Sequence, residues 1–257
     1  MRIGVCFKIV PDFEDTDPSE WENPEALDFR YVKKIYGCYD EAALETGLRL
    51  QDQLRDAGED VSAVAVTVNP PQSATAESSL RALFAAGFAE VITIPGGADF
   101  DPSHTSAALA DYFRENPADL ILCGRMVGPG DSGMVPLRLA QAMGCNFYPE
   151  TTALYRGDNG RIAVTTKEET HFLTRQITGP SLCAMGDAEA AYLRLFPLKA
   201  RMAAARRSFT SWPGEAPQSA FTPQLLPPQT QQNSCRYLDP EQAPRILAEL
   251  LKGVDAQ

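Results

Sequence analysis

Residues 119–136 read DLILCGRMVGPGDSGMVP and predict a strand, a glycine-rich turn and a helix in succession. The apolar run at 120–123 lies between polar flanks, which is typical of a buried strand. The next feature is Gly-Pro-Gly at 128–130, which indicates a turn. Asp131 and Ser132 then supply N-cap oxygens for a helix that begins directly after the turn.

A glycine-rich turn that leads into a helix N-terminus is a recurrent anion site. Unpaired N–H groups and the positive end of the helix dipole lie together there, and glycine allows a ligand to come close. The alternative is an ordinary strand-to-helix turn, and this stretch alone leaves both interpretations open. The spacing fits neither the GxxxxGK[ST] loop nor the GxGxxG fingerprint.

The chain before this turn alternates strands with helices, which predicts a parallel sheet covered by helices on both faces. The predicted strands are residues 2–10, 61–68 and 90–94, and the predicted helices are 40–55, 74–86 and 103–114, the last capped by Ser103. Between the first strand and the first helix, residues 13–34 show no clear period, so we expect a functional loop or a short hairpin there. Ligands of such sheets lie at the carboxyl ends of the strands. These ends are residues 8–12, 68–70, 95–97 and 124–131.

The pattern changes after Cys145. Four short strand-like runs follow, at 146–155, 161–168, 171–176 and 181–185, and we expect them to extend the sheet as antiparallel edge strands. The Gly-Asp-Asn-Gly at 157–160 is a hairpin turn signal between the first two.

The last quarter of the chain combines an apolar segment, a basic helix and an extended arm. Residues 188–197 expose several large apolar side chains, and the basic run 199–207 follows at once. Residues 208–233 are rich in Pro, Gln, Ser and Thr, which predicts an extended arm. The arm ends in a helix that starts at 239–241. It either docks on another surface or folds back on its own domain, and both remain open.

Composition narrows the functional classes. A net charge of −11 argues against a nucleic-acid or anionic-membrane binder, and no apolar stretch approaches the ~20 residues that span a bilayer. The N-terminus enters a strand at once and does not resemble a signal peptide, so we expect a cytoplasmic protein. Six cysteines without a CxxC pair and two histidines argue against a metal site or a Ser-His-Asp triad.

Four motifs in order resemble the beta subunit of electron-transfer flavoprotein. These are RIGVCFKIVPD at 2–12, YDEAALETGLRLQD at 39–52, DLILCGRMVGPGDSGMV at 119–135 and PLKARMAAARR at 197–207. The corresponding family patterns are VKQVPD, NPxDxxALExALRL, DLILCGRxAxDGDTGQVG and PSLKGIMKAKKK. The resemblance covers most of residues 1–207.

The resemblance implies a Rossmann-like, adenine-nucleotide-binding α/β fold and a heterodimer with an alpha subunit that holds most of the FAD. The beta subunit would bind AMP or a second FAD. Cofactor-binding positions carried over are Cys6, Lys8, Val68, Gly124, Gly130, Asp131, Ser132, Gly133, Met134 and Val135.

The resemblance also implies two contact regions for partners. Phe13 and Tyr39 would face the flavin of the alpha subunit, and the alternative for each is an ordinary surface or core aromatic. The dehydrogenase-recognition loop of the family falls on the apolar segment and the basic helix. Its residues here are Leu193, Leu195, Phe196, Lys199 and Arg201.

Four positions depart from the family pattern. Gly37 and Cys38 stand where the family has Asn-Pro, which removes an amide that could bond the nucleotide. Pro129 replaces an Asp and Met134 replaces a Gln. Backbone N–H contacts survive these changes, whereas each lost side-chain hydrogen bond is worth ~1 kcal/mol.

These features together predict an electron carrier, not an enzyme. It would pass electrons between an acyl-CoA-type or related flavin dehydrogenase and a downstream acceptor, because the flavin carries the redox chemistry. We expect a nucleotide-binding domain at 1–207 and an arm at 208–257 that docks on the alpha subunit. The alternatives are a stand-alone adenine-nucleotide sensor of the same fold and, with less support, an adenylating enzyme.

Overall fold

A computed structural model of the chain describes residues 1–12, 14, 32–96, 101–128, 132–214 and 242–254. The strands in these ranges are β1 Arg2–Cys6, β2 Ile9–Pro11, β3 Lys34–Tyr36, β4 Ser62–Val68, β5 Glu90–Ile94, β6 Leu120–Gly124, β7 Asn146–Arg156, β8 Ile162–Lys167, β9 Phe172–Gln176, β10 Ser181–Met185 and β11 Thr210–Ser211. The helices are α1 Cys38–Asp56, α2 Ala74–Ala86, α3 Pro102–Glu115, α4 Met134–Met143, α5 Leu198–Ala204 and α6 Ala243–Val254.

Within the described ranges, nine strands form one sheet in the order β11-β5-β4-β1-β6-β10-β7-β8-β9. Neighbouring strands run parallel from β11 to β7, and β8 and β9 add antiparallel strands at one edge. The predicted α/β fold with a mostly parallel sheet is therefore confirmed.

The placement of β10 corrects the sequence prediction. We expected an antiparallel edge strand, but β10 lies parallel between β6 and β7. The prediction is also wrong for β7, which runs parallel to β10 and lies inside the sheet, between β10 and β8. All five of its residues, SLCAM, are buried. A strand that is apolar on both faces gains most from the centre of the sheet, where helices cover each side.

Helices cover the sheet on both faces. Ile3 and Val5 of β1 share a core cluster with residues of α1 and α2, whereas Cys6 shares the opposite cluster with residues of α3 and α4. This alternation follows from the two-residue period of a strand. It places the loops at the carboxyl ends of β1, β4 and β6 between the two helical layers.

The first strand is shorter than predicted. It ends at Cys6, after which the Lys8 N–H donates to the carboxylate of Asp40, and the Lys8 carbonyl accepts from the Gly37 N–H. The chain thereby leaves the sheet, and β2 pairs with β3 as an antiparallel ribbon. That pairing agrees with the hairpin alternative for 13–34, most of which lies outside the described residues.

One predicted helix cap is wrong, and a second is displaced by one residue. The N-cap of α3 is Asp101, whose carboxylate accepts the N–H groups of Ser103 and His104. The N-cap of α4 is Gly133, one residue after Ser132, but the Ser132 hydroxyl accepts the N–H of Met134 at 3.4 Å, as predicted for an oxygen at this helix start. Asp131 lies outside the described residues. Helix α3 begins after Asp101 and not after Ser103, because the proline that follows Asp101 is favoured at the first helical position.

The arm predicted from residue 208 begins on the sheet. Strand β11 pairs with β5, and the N–H of Trp212 donates to the carbonyl of Thr93. The Trp212 indole packs edge-on against Tyr112 and donates to Glu115. Residues 215–241, which hold most of the arm, lie outside the described part of the chain. No helix within the described residues is long and apolar enough to cross a membrane.

Candidate functional site

A cleft opens at the carboxyl ends of β1, β4 and β6. These strands adjoin at the point where the order of the sheet reverses, since the chain builds outward from β1 first on one side and then on the other. Ligands of open α/β sheets bind at such switch points. The cleft holds about 970 Å³ of empty space, its open mouth included.

Most of the positions predicted to bind a cofactor meet in this cleft. Seven of them line it: Cys6, Lys8, Val68, Gly124, Ser132, Gly133 and Val135. Met134 begins α4 without lining the cleft, and Gly130 and Asp131 lie outside the described residues. Among the described residues, no cluster of three or more His, Cys, Asp or Glu is arranged to hold a metal ion.

The start of α4 forms one wall of the cleft with backbone groups. Gly133 has φ +61°, a left-handed conformation that glycine adopts without a steric penalty. The first N–H groups of a helix have no partner within it, so α4 brings donors and the positive end of its dipole to this wall. Pro136 lies in the first turn and has no N–H, which removes one of these donors.

Asp40 joins two of the strands beneath the cleft, a role that sequence reasoning missed. Its carboxylate accepts the N–H of Lys8 at 2.9 Å and the N–H of Gly124 at 3.0 Å. Burial raises the pKa of Asp40 to about 7, although both hydrogen bonds and the Lys8 ammonium oppose that rise. An acidic residue in the first turn of a helix is usually solvent-exposed and interacts favourably with the helix dipole. The sequence pattern therefore did not predict that the two hydrogen bonds of Asp40 link these strands. We call this pair of hydrogen bonds the Asp40 latch.

Arg125 forms a second link at the cleft. Its guanidinium makes hydrogen bonds of 3.0 and 2.8 Å to the two carboxylate oxygens of Glu150. It also donates to the hydroxyl of Tyr39 and lies 4.4 Å from the centre of that ring. Tyr39, predicted to face a flavin, is therefore half-buried beside an arginine of its own chain. Phe13 lies outside the described residues.

A second part of the cleft lining comes from α3 and also escaped the sequence analysis. Asp101, Thr105 and Leu109 line it together with Val66 of β4. The Asp-Pro pair at 101–102 was the available signal, because it marks a helix N-terminus directly after a predicted strand end. The cleft thus combines an apolar surface with polar groups at helix ends.

The predicted recognition residues lie on a surface segment that we call the 192–202 segment. Tyr192 and Leu195 are 78% and 99% exposed. Leu193 and Phe196, predicted to be exposed, are instead partly buried and pack against the core. Lys199 and Arg201 of α5 are exposed, as are Leu198 and Met202. The segment therefore presents apolar side chains beside basic ones.

The fold and the cleft define a doubly wound α/β protein with a cleft at the switch point of its sheet. Residues 32–216 match the electron transfer flavoprotein domain, so the chain belongs to the electron transfer flavoprotein family. The family resemblance predicted from the four motifs is confirmed.

Three relatives bear names of electron-transfer subunits. The chain is 26% identical over 214 residues to the putative electron transfer flavoprotein subunit YgcR of Escherichia coli (strain K12), covering 80% of this chain and 79% of that protein. It is 27% identical over 197 residues to the electron transfer flavoprotein subunit beta of Megasphaera elsdenii, covering 71% and 67%. It is 31% identical over 149 residues to the acryloyl-CoA reductase electron transfer subunit gamma of Anaerotignum propionicum, covering 56% of this chain and 52% of the relative.

Proposed function

We propose that this chain is the beta subunit of a heterodimeric electron-transfer flavoprotein. It would carry electrons between a flavin dehydrogenase, of the acyl-CoA type or related, and a downstream acceptor. The observation that carries the proposal is the family match, which spans the residues of both the α4 wall and the 192–202 segment. The cytoplasmic location expected from the sequence belongs to the same proposal.

The cleft is proposed to hold AMP or a second FAD. Its residues fit the adenosine phosphate that both ligands share. Val66, Val68 and Leu109 offer an apolar surface to a base, and the backbone at Gly133 and Val135 offers N–H donors to a phosphate. The FAD held mainly by the alpha subunit would supply the redox chemistry, while this chain supplies position and electrostatics.

Co-expression with an alpha-type subunit, followed by quantification of flavin and AMP per heterodimer, tests the proposal. One FAD with one AMP supports an ordinary carrier, and two FADs without AMP assign the cleft to a redox site. A chain that binds adenine nucleotide but associates with no such subunit would instead support the stand-alone sensor. The exposed 192–202 segment favours the heterodimer, because a solitary sensor needs no such surface.

The 192–202 segment is proposed to bind the flavin dehydrogenase. Leu195→Asp is expected to raise the KM for the heterodimer as electron acceptor by about 10- to 100-fold, since a central apolar anchor contributes roughly 1–3 kcal/mol. The comparison variant is Phe172→Asp, which changes a side chain that is 64% exposed on β9. An equal rise in both variants would refute a specific role for the segment.

The residues beyond 207 are proposed to pack on the alpha subunit. Helix α6 carries the amphipathic pattern expected of a docking helix, and Leu247 on it is exposed. The division of the chain expected from the sequence, into 1–207 and 208–257, is part of this proposal: the first region would bind the nucleotide and the second would contact the alpha subunit. The sheet contacts of β11 and Trp212 join the first residues of the second region to the sheet of the first.

A further inference from the structure

One arginine inside the 192–202 segment is turned away from solvent towards α1. The Arg194 Nε lies 3.0 Å from Oε2 of Glu45, and its Nη2 lies 3.2 Å from Oε1 of the same carboxylate. A further hydrogen bond runs from Nη1 to Asp52. Glu45 and Asp52 are two turns apart along α1, so the guanidinium spans one face of that helix.

The backbone of the segment is held by the same helix. The N–H of Leu193 donates to Glu41 at 3.1 Å, and the N–H of Arg194 donates to Glu45 at 2.9 Å. Glu41 and Glu45 lie four residues apart and therefore share one face. Two consecutive residues of an irregular segment are thus held by side chains from one rigid element.

Glu45 is the centre of this arrangement. Its side chain is only 4% exposed. Burial alone would raise the pKa of Glu45, but hydrogen bonds from Arg194 and Arg49 lower it below its ordinary value, so the carboxylate is held ionised. An ion pair between a buried carboxylate and an arginine that donates two hydrogen bonds requires a more exact geometry than an exposed ion pair does.

The hydrogen bonds to α1 determine which neighbouring side chains of the segment are exposed. With Leu193 and Arg194 held against α1, Tyr192 and Leu195 on either side are directed outward, where they are the most exposed aromatic and aliphatic side chains of the segment. An unanchored chain of this composition would have to be ordered when a partner binds, and the lost conformational entropy would weaken binding.

We propose that Arg194 is a positioning residue for partner recognition, which orders the 192–202 segment before the dehydrogenase binds. The inference rests on the proposed function of that segment. It assigns to Glu41, Glu45 and Asp52 of α1 a role in presenting Leu195, although none of them contacts the partner in this account.

Steady-state electron transfer with the intact heterodimer and a flavin dehydrogenase tests the inference. Arg194→Ala is expected to raise the KM for the heterodimer about tenfold at unchanged kcat, because ordering is then required at each encounter. Arg194→Lys, which cannot pair bidentately, is expected to give an intermediate rise and guards against a folding defect in the alanine variant. The matched control is Arg156→Lys, since Arg156 is similarly exposed and pairs with Glu59 away from the segment.

The Leu195→Asp variant separates the two proposals. A normal KM in both arginine variants alongside a raised KM in Leu195→Asp would overturn the positioning role and leave the docking role standing. A normal KM in all three would overturn both. A lower melting temperature with an unchanged KM in Arg194→Lys would show a purely structural ion pair and would also overturn the inference.

Discussion

Replacing Asp40 by alanine is expected to lower the free energy of unfolding by about 3 kcal/mol at pH 5.5, because one buried and one part-buried N–H group lose their acceptor. The donors are the backbone groups of Lys8 and Gly124, at the ends of the two strands that form the base of the cleft. Alanine leaves both unpaired. The same change should weaken nucleotide binding, since the loops that line the cleft start from these strand ends.

Urea unfolding of the variant and the parent protein measures this effect. The matched control is Asp56→Ala, because Asp56 is an exposed residue at the end of the same helix. The control is expected to stay within about 0.5 kcal/mol of the parent, as is usual for surface substitutions. Equal stability of the Asp40 variant and the parent would refute the latch.

The effect of this substitution should depend on pH in a defined direction. Burial raises the pKa of Asp40 from 3.8 to about 7, so the folded protein holds the proton more tightly than the unfolded chain does. The stability from this group is fully present below pH 3.8 and is lost as the pH rises to about 7. The alanine variant has no carboxyl group at this position, so its stability does not fall in this way. The difference in the free energy of unfolding between the parent protein and the variant should therefore be smaller at pH 8 than at pH 5.5.

Gly124→Ala is expected to destabilise the protein by about 3 kcal/mol or more, because the added methyl group has no room. A Cβ at this position would lie within 2.4 Å of an Asp40 carboxylate oxygen, 2.7 Å of the Asp40 backbone nitrogen and 2.8 Å of the Tyr39 carbonyl carbon. Two of these atoms belong to the backbone of α1, which cannot move without disturbing the latch. The variant should also lose affinity for a nucleotide in the cleft.

Thermal unfolding and nucleotide titration of the variant test this prediction. Gly157→Ala is the comparison, because its Cβ would meet its nearest neighbour at 3.3 Å in an exposed hairpin turn. A Gly124 variant as stable as the Gly157 variant would show that α1 can shift to make room. That outcome would also contradict the tight packing between α1 and β6.

Gly124 also shows what a glycine beside a cleft can indicate. The sequence predicts that glycine lets a ligand approach the turn, and the family resemblance places Gly124 among the cofactor-binding positions. In the structure the space beside Gly124 is filled by Asp40 and Tyr39. The glycine at this position is required by the packing of the protein itself, so its presence alone does not indicate a ligand.

Much of the cleft could be predicted because parallel strands bring their carboxyl ends to one edge. Cys6, Lys8 and Val68 follow strands that the apolar pattern identifies, and Gly133 follows the glycine-rich turn. Once these strands adjoin, the four residues must lie near one another. By contrast, Asp40 is 32 residues from Lys8 and 84 from Gly124, and no local pattern connects them.

Local pattern was sufficient for most of the helices and central strands, the parallel sheet, the position of the cleft and the family, because apolar period and turn residues act over a few positions. Tertiary contact decided where β10 inserts, how β1 ends and which side chains of the 192–202 segment are exposed. Arg194 shows the reason. Its partner Glu45 lies 149 residues away, and only burial in the folded chain makes that pairing necessary and specific.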